Sequence, residues 1–238
     1  MLTYLISYMN GNVDSLSFIT MLCVMVFVTV CCMPVHECAH AWVADKLGDP
    51  TGRLKGRITL NPMAHLSWQG TLMLFLFGFG YAKPVPINIR NFKKRKLYFG
   101  LSALAGPVSN LFLAVIFMFI GSVCSLLSVL RPDASAQTFE IATSFFVNVS
   151  YYNIALAVFN LIPFPPLDGS RIATMVLPDK IYYRIMQYER YLFYALFALI
   201  FFFNRIGISP IGRISDLIFQ TIGTVAAVVV EAVYRLFV

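Results

Sequence analysis

Charge is what this 238-residue chain has least of: Lys, Arg, Asp and Glu make up 12% of it, where an ordinary soluble domain carries about 25%. With 59% of residues hydrophobic and a mean hydropathy of +0.76, so few charges cannot cover a water-facing surface. The apolar residues also fall in long blocks, not in the alternating or 3.6-residue stripes of half-buried elements. A soluble domain is excluded, and the bilayer is the solvent that fits. Acidic residues are the scarcer sign, 11 against 18 basic, for a net charge of +7. That excess does not point to nucleic acid. Its densest cluster, Arg90-Asn91-Phe92-Lys93-Lys94-Arg95-Lys96, stands immediately before an apolar block, where the positive-inside rule puts cytoplasmic anchors. No nucleic-acid-binding motif accompanies it.

A disulfide framework is missing too. The five cysteines (Cys23, Cys31, Cys32, Cys38, Cys124) show no CxxC spacing and are odd in number, so they read as small packing residues. No basic segment precedes the first apolar block and no small-residue cleavage site follows it. That block therefore reads as a retained helix, not a signal peptide. There is no internal repeat and no low-complexity linker. The chain is expected to be a single membrane domain over 1–238, with its core at 16–175 and additional helices at 188–232.

What is present is a series of apolar blocks. Residues 16–33 carry no charge and approach the length of about 20 residues that a helix needs to span; the helix is expected to continue through Ala44. Residues 45–67 are polar and rich in Gly and Asn-Pro, and read as loops or short strands. The run 69–82 has 14 residues, too short to cross, and fits a re-entrant segment or β-hairpin. Lys83-Pro84-Val85-Pro86 cannot be helix interior. The block 99–130 is broken near its start by Gly106-Pro107, and a further block runs from 139 to 162. It ends in Pro163-Phe164-Pro165-Pro166-Leu167-Asp168-Gly169, where three prolines forbid a regular helix. Apolar stretches at 191–204 and 214–230 supply one or two further helices. The expected fold class is an all-α polytopic membrane protein built on three core helices.

The chemistry is concentrated in His36-Glu37-Cys38-Ala39-His40. Two histidines four residues apart on a helix are offset by roughly 40° and about 6 Å, so both imidazoles can bind one metal. Glu37, beside the first ligand, is placed to act as general base toward an activated water. Two imidazoles plus a carboxylate with one open position form a catalytic zinc set. Two of the chain's three histidines occupy this spacing, at the end of an apolar helix where ionisable groups are functional by default. Asp168 is the best candidate for the third ligand, because irregular backbone at membrane depth is tolerated only where it lines a cavity or is buried. Asp45 and Asp49 are nearer in sequence but read as solvated.

Topology supports the pairing. With 90–96 cytoplasmic, the block 99–130 runs outward and the next returns inward to Asp168. The first helix must then also run inward for the two parts of the site to share a depth.

Several motifs together resemble the site-2 protease family, the intramembrane zinc metalloproteases of peptidase family M50. The histidine motif is followed by Gly56-Arg57-Ile58-Thr59-Leu60-Asn61-Pro62-Met63-Ala64-His65 and by Ala82-Lys83-Pro84-Val85-Pro86-Ile87-Asn88. Next come Ala105-Gly106-Pro107-Val108-Ser109-Asn110 and Phe159-Asn160-Leu161-Ile162-Pro163 leading to Asp168-Gly169. The resemblance covers residues 20–175 and is closest to the compact bacterial branch without PDZ or CBS domains. It implies one Zn2+ per chain held by His36, His40 and Asp168, with Glu37 as base. Asn160 would hold the substrate backbone or polarise its carbonyl, and Asn110 would support the site. Ser67 departs from the pattern, which has an acid there. His65 is expected to be structural, in a tight Asn-Pro turn, with a gating role or a fourth ligand position as the alternative.

The implied reaction is hydrolysis of peptide bonds within or next to the transmembrane helices of membrane protein substrates. It would take place in the bacterial cell membrane near the cytoplasmic side, with the lipid bilayer as the other partner and no nucleic acid. Segment 52–90 could offer strand edges to an unwound substrate. The rivals are an inactive zinc-binding scaffold or sensor, a transporter, and a zinc protease using Glu189 as third ligand. Glu37 argues against the first, and the lack of repeated halves against the second.

Overall fold

The computed structural model describes residues 2–70, 72, 82–131, 133, 135–205 and 210–237. Helices dominate: α1 (Leu2–Met9), α2 (Ser15–Phe27), α3 (Met33–Lys46), α4 (Thr51–Leu54), α5 (Pro62–His65), α6 (Arg95–Leu130), α7 (Ala136–Asn160), α8 (Asp168–Ile172), α9 (Asp179–Met186), α10 (Glu189–Arg205) and α11 (Pro210–Phe237). Among the described residues, four stretches are long and apolar enough to cross a membrane: Ser15–Lys46, Arg95–Leu130, Ala136–Asn160 and Ile211–Leu236. The chain is an all-α polytopic membrane protein. Of the two expected C-terminal helices, α11 reaches spanning length, whereas α10 has 17 residues.

The first span is not a uniform helix. Between α2 and α3 lies a π turn, Val28–Cys32, in which the N–H of Met33 bonds back to the carbonyl of Val28. Pro34 follows directly and has no N–H to give to the turn before it, and the register slips there by one residue. The buried positions Val24, Val28, Cys32, His36, His40 and Ala44 recur every four residues. In a regular helix such a stripe drifts by about 40° per step, roughly 200° over five steps, and one extra residue takes back about 100°. The sequence reading missed this turn because no residue type marks it.

The expected break at Gly106-Pro107 is not there. α6 runs through both residues for 36 residues, about 54 Å of rise. A proline removes one N–H and frees one carbonyl, which a helix packed on both sides tolerates. Residues 47–67 are mostly loop, as expected, interrupted by the short helices α4 and α5 in place of strands.

The most extensive packing is between α6 and α7, followed by α3 on α6. Gly121 permits the first: a Cβ there would meet Val147 at 2.9 Å, so the absent side chain lets the helices approach. The Ser150 hydroxyl bonds across to the Ala114 carbonyl at 2.8 Å. Phe27 of α2 packs edge-on against Phe117 and Phe145, while His40 lies against Ser102. Together these contacts make α6 antiparallel to both other core helices, the arrangement expected from the topology.

Between α3 and α6 the chain is tied by two buried side chains. Asp49, expected to be solvated, is fully buried. Its carboxylate accepts from the Thr51 hydroxyl at 2.5 Å, the Asn88 N–H at 2.7 Å and the Asn91 amide at 2.7 Å. Burial pushes this carboxyl up, but the hydrogen bonds from Thr51, Asn88 and Asn91 outweigh it and hold its pKa below the ordinary value. Such partners are why it can be buried. Arg57 is also buried, and its guanidinium donates to the carbonyls of Ala64, Lys83 and Pro84. Lys83 N–H bonds to the His65 carbonyl at 2.7 Å, and Leu66 and Ala82 form an antiparallel bridge. The base of the expected hairpin is therefore paired; residues 71 and 73–81, which would form its turn, lie outside the described residues.

Candidate metal centre

α3 presents His36 and His40 on one face, with ring centroids 4.6 Å apart and planes at 86°. Their Nε2 atoms are 3.0 Å apart. The third group arrives from α8. Prolines at 163, 165 and 166 withhold N–H donors after α7, Leu167 is extended, and Asp168 opens the short helix. Asp168 Oδ2 lies 3.2 Å from Nε2 of His36 and 3.1 Å from Nε2 of His40. All three residues are buried.

Two glycines make the convergence possible. At Gly169 a Cβ would lie 2.2 Å from the Ile162 carbonyl oxygen and 2.4 Å from that of Leu161, so only glycine lets α8 fold back on the end of α7. At Gly106 a Cβ would lie 2.3 Å from Nε2 of His40 and 2.6 Å from Cε1 of His36. The bare backbone of α6 is the floor beneath the imidazoles. On that floor the Ser102 carbonyl accepts from Nδ1 of His40 at 2.7 Å, which in the neutral ring leaves the Nε2 lone pair free for a metal.

The donor set fits a small divalent cation. Ligand atoms about 2.0–2.1 Å from a tetrahedral zinc lie about 3.3 Å from one another, and the three measured separations are 3.0–3.2 Å. Two imidazoles and a carboxylate leave a fourth position open. Among the described residues, no other group of His, Cys, Asp or Glu converges in this way. Asp45 pairs instead with Arg53 at 2.9 Å, Asp49 is held as above, and Glu189 opens α10.

The remaining sequence candidates are placed as follows. Glu37 is half-buried and follows His36 on α3. Asn160 ends α7, half-buried, and its amide donates to the Leu156 carbonyl at 3.0 Å. Asn110 is 1% exposed on α6. His65 is fully buried and donates from Nε2 to the Thr59 carbonyl at 2.9 Å; it holds the Asn-Pro turn and is not in the metal-competent group. Ser67 accepts from the Gly70 N–H at 3.4 Å. Ser102 was invisible to sequence reasoning because a backbone carbonyl has no letter. Gly106 had a signal, its place in a Gly-Pro motif, but not a role.

The model of peptidase family M50 matches residues 18–203. The chain belongs to peptidase family M50. It is 39% identical over 175 residues to "Putative zinc metalloprotease YwhC" of Bacillus subtilis, an alignment covering 74% of this chain and 78% of that protein. It is 28% identical over 142 residues to "Putative zinc metalloprotease Rip2" of Mycolicibacterium smegmatis, covering 57% of this chain and 50% of that protein. No solved structure matches. The M50 match runs from α2 into α10 and so contains both histidines and Asp168.

Proposed function

We propose that this M50 chain is an intramembrane zinc metalloprotease that hydrolyses peptide bonds within or next to transmembrane helices of membrane protein substrates. The observation that carries the reading is the convergence of His36, His40 and Asp168, from two elements about 130 positions apart, on one buried point. A zinc ion there would supply Lewis acidity, bringing the pKa of a water toward about 7 and polarising the scissile carbonyl. Glu37, beside the first ligand but outside the ligand group, takes the proton of the attacking water and passes it to the leaving nitrogen. Asn160 swings its amide from Leu156 toward the substrate and steadies the developing negative charge. The substrate segment must unwind to offer its carbonyl, and the chain around the Leu66–Ala82 bridge would hold it extended by backbone pairing.

Lys46 and the cluster 90–96 lie at the ends of spans close to the site, which supports a cytoplasmic-side active site in the cell membrane. The test is the metal content of detergent-purified protein. One zinc per wild-type chain, largely lost in Asp168→Ala, supports the reading. A carefully handled wild type without zinc would return the chain to the scaffold reading.

A further inference from the structure

The two imidazoles of the candidate centre are unequally supported. His40 gives its Nδ1 proton to Ser102, whereas Nδ1 of His36 is enclosed and has no partner among the described residues. Nε2 of His36 is turned to Asp168 and His40; with that lone pair given to the metal proposed above, the neutral ring would carry its proton on Nδ1. A metal-binding histidine almost always gives that proton to a carboxylate, a carbonyl or a water.

Two asparagines stand about one helical turn from that ring on the facing helices. Asn110 is one turn beyond Gly106, which touches both imidazoles, and one turn before Ala114, which Ser150 of α7 reaches. Asn153 lies three residues from Ser150 and donates its amide to Cys32 at 3.4 Å, and Cys32 is one turn before His36 on the buried stripe. Both asparagines are 1% exposed or less. Among the described residues neither atom of the Asn110 amide has a partner, nor does Oδ1 of Asn153. The Asn153 orientation is fixed, because its nitrogen also donates to the Val149 carbonyl at 2.8 Å. Enclosed donors and acceptors without partners are rare and call for a reason.

We propose that Asn110 and Asn153 form a second layer of the metal centre, binding one water that accepts the Nδ1 proton of His36 and donates to both amide oxygens. Three hydrogen bonds are the usual number for a buried water. The layer fixes the tautomer and plane of His36 from the membrane side, as Ser102 fixes His40 from α6. Both asparagines are thus positioning residues that act through His36. The proposal rests on the metal reading above but not on proteolysis.

The experiment is a competition titration of zinc against a chromophoric chelator, with the purified full chain, comparing Asn110→Leu, Asn110→Asp and Asn153→Leu. Wild type must first bind one zinc; if it does not, the metal reading has failed before any variant is compared. Asn110→Leu is expected to weaken zinc about 10–100-fold, the usual cost of losing an outer-shell partner. Asn110→Asp, which keeps an acceptor oxygen in the same place, is expected to stay within a few-fold of wild type. A packing role would give the reverse order, since leucine suits an apolar interior and a carboxylate does not. Asn110→Leu binding zinc like wild type overturns the proposal. Should neither position-110 variant fold, Asn153→Leu decides: unchanged zinc affinity overturns it and a similar loss supports it.

Discussion

The Nδ1 atom of His40 lies 2.7 Å from the carbonyl oxygen of Ser102, 62 residues further along the chain. The contact depends on Gly106, one turn beyond Ser102, where any side chain would enter the space of the imidazoles. One close approach of two helices thus orients a ring and leaves its other nitrogen facing Asp168.

Gly106→Ala should therefore strike the centre without unfolding the bundle. Its new methyl would compete with Nε2 of His40, a proposed ligand atom, so zinc affinity should fall at least about tenfold, by analogy with other losses of ligand orientation. Zinc titration beside circular dichroism checks this. Full zinc affinity in a folded variant would show that α6 does not form the floor.

Glu37→Gln separates binding from chemistry. Zinc content should stay at the wild-type level, because Glu37 is outside the ligand group. Cleavage of a membrane substrate that wild type processes should fall about 10²–10⁴-fold, the range for a lost general base. Wild-type cleavage by this variant would remove Glu37 from the mechanism.

Arg57 holds both limbs of the 66–82 segment through three carbonyls. A lysine cannot reproduce the planar fork, so Arg57→Lys should loosen the base almost as much as Arg57→Met. The reporter is disulfide formation between Leu66→Cys and Ala82→Cys, residues paired directly across the bridge. It should form readily with Arg57 and at least about tenfold more slowly without it, as expected when a charge-assisted anchor is lost.

Asp49 gives the loop after α3 a pH dependence. Its folded pKa lies below the unfolded one, so its contribution is complete above about pH 4 and fades as pH falls toward the depressed value. Hydrogen exchange at Asn88, whose N–H it accepts, should accelerate relative to neighbouring amides on acidification. In Asp49→Asn that acid step should disappear; its persistence would point to another group.

Much of this was legible in letters. The apolar blocks located the spans, and two histidines one turn apart, with an acid at the broken end of an apolar block, anticipated the group that the fold assembles. The rest had no letter to read. Asp49 was misplaced because an acid in a polar loop looks solvated, and its donors Asn88 and Asn91 lie about forty residues away. Gly106-Pro107 looked like a break because propensity ignores the neighbours that support a helix. Asn153 sat unnoticed in an apolar block, and the role proposed for it depends on what it faces.

The π turn at Val28–Cys32 has a consequence for how the first span can vary. It works as a phase corrector, bringing the outer rows of core-packing residues and the inner row of histidines at the candidate centre onto a common azimuth. Removing one residue within it would leave every motif intact and the hydropathy profile nearly unchanged, yet turn His36 and His40 about 100° away from α6 and Asp168. Length, as much as composition, is under constraint in this helix.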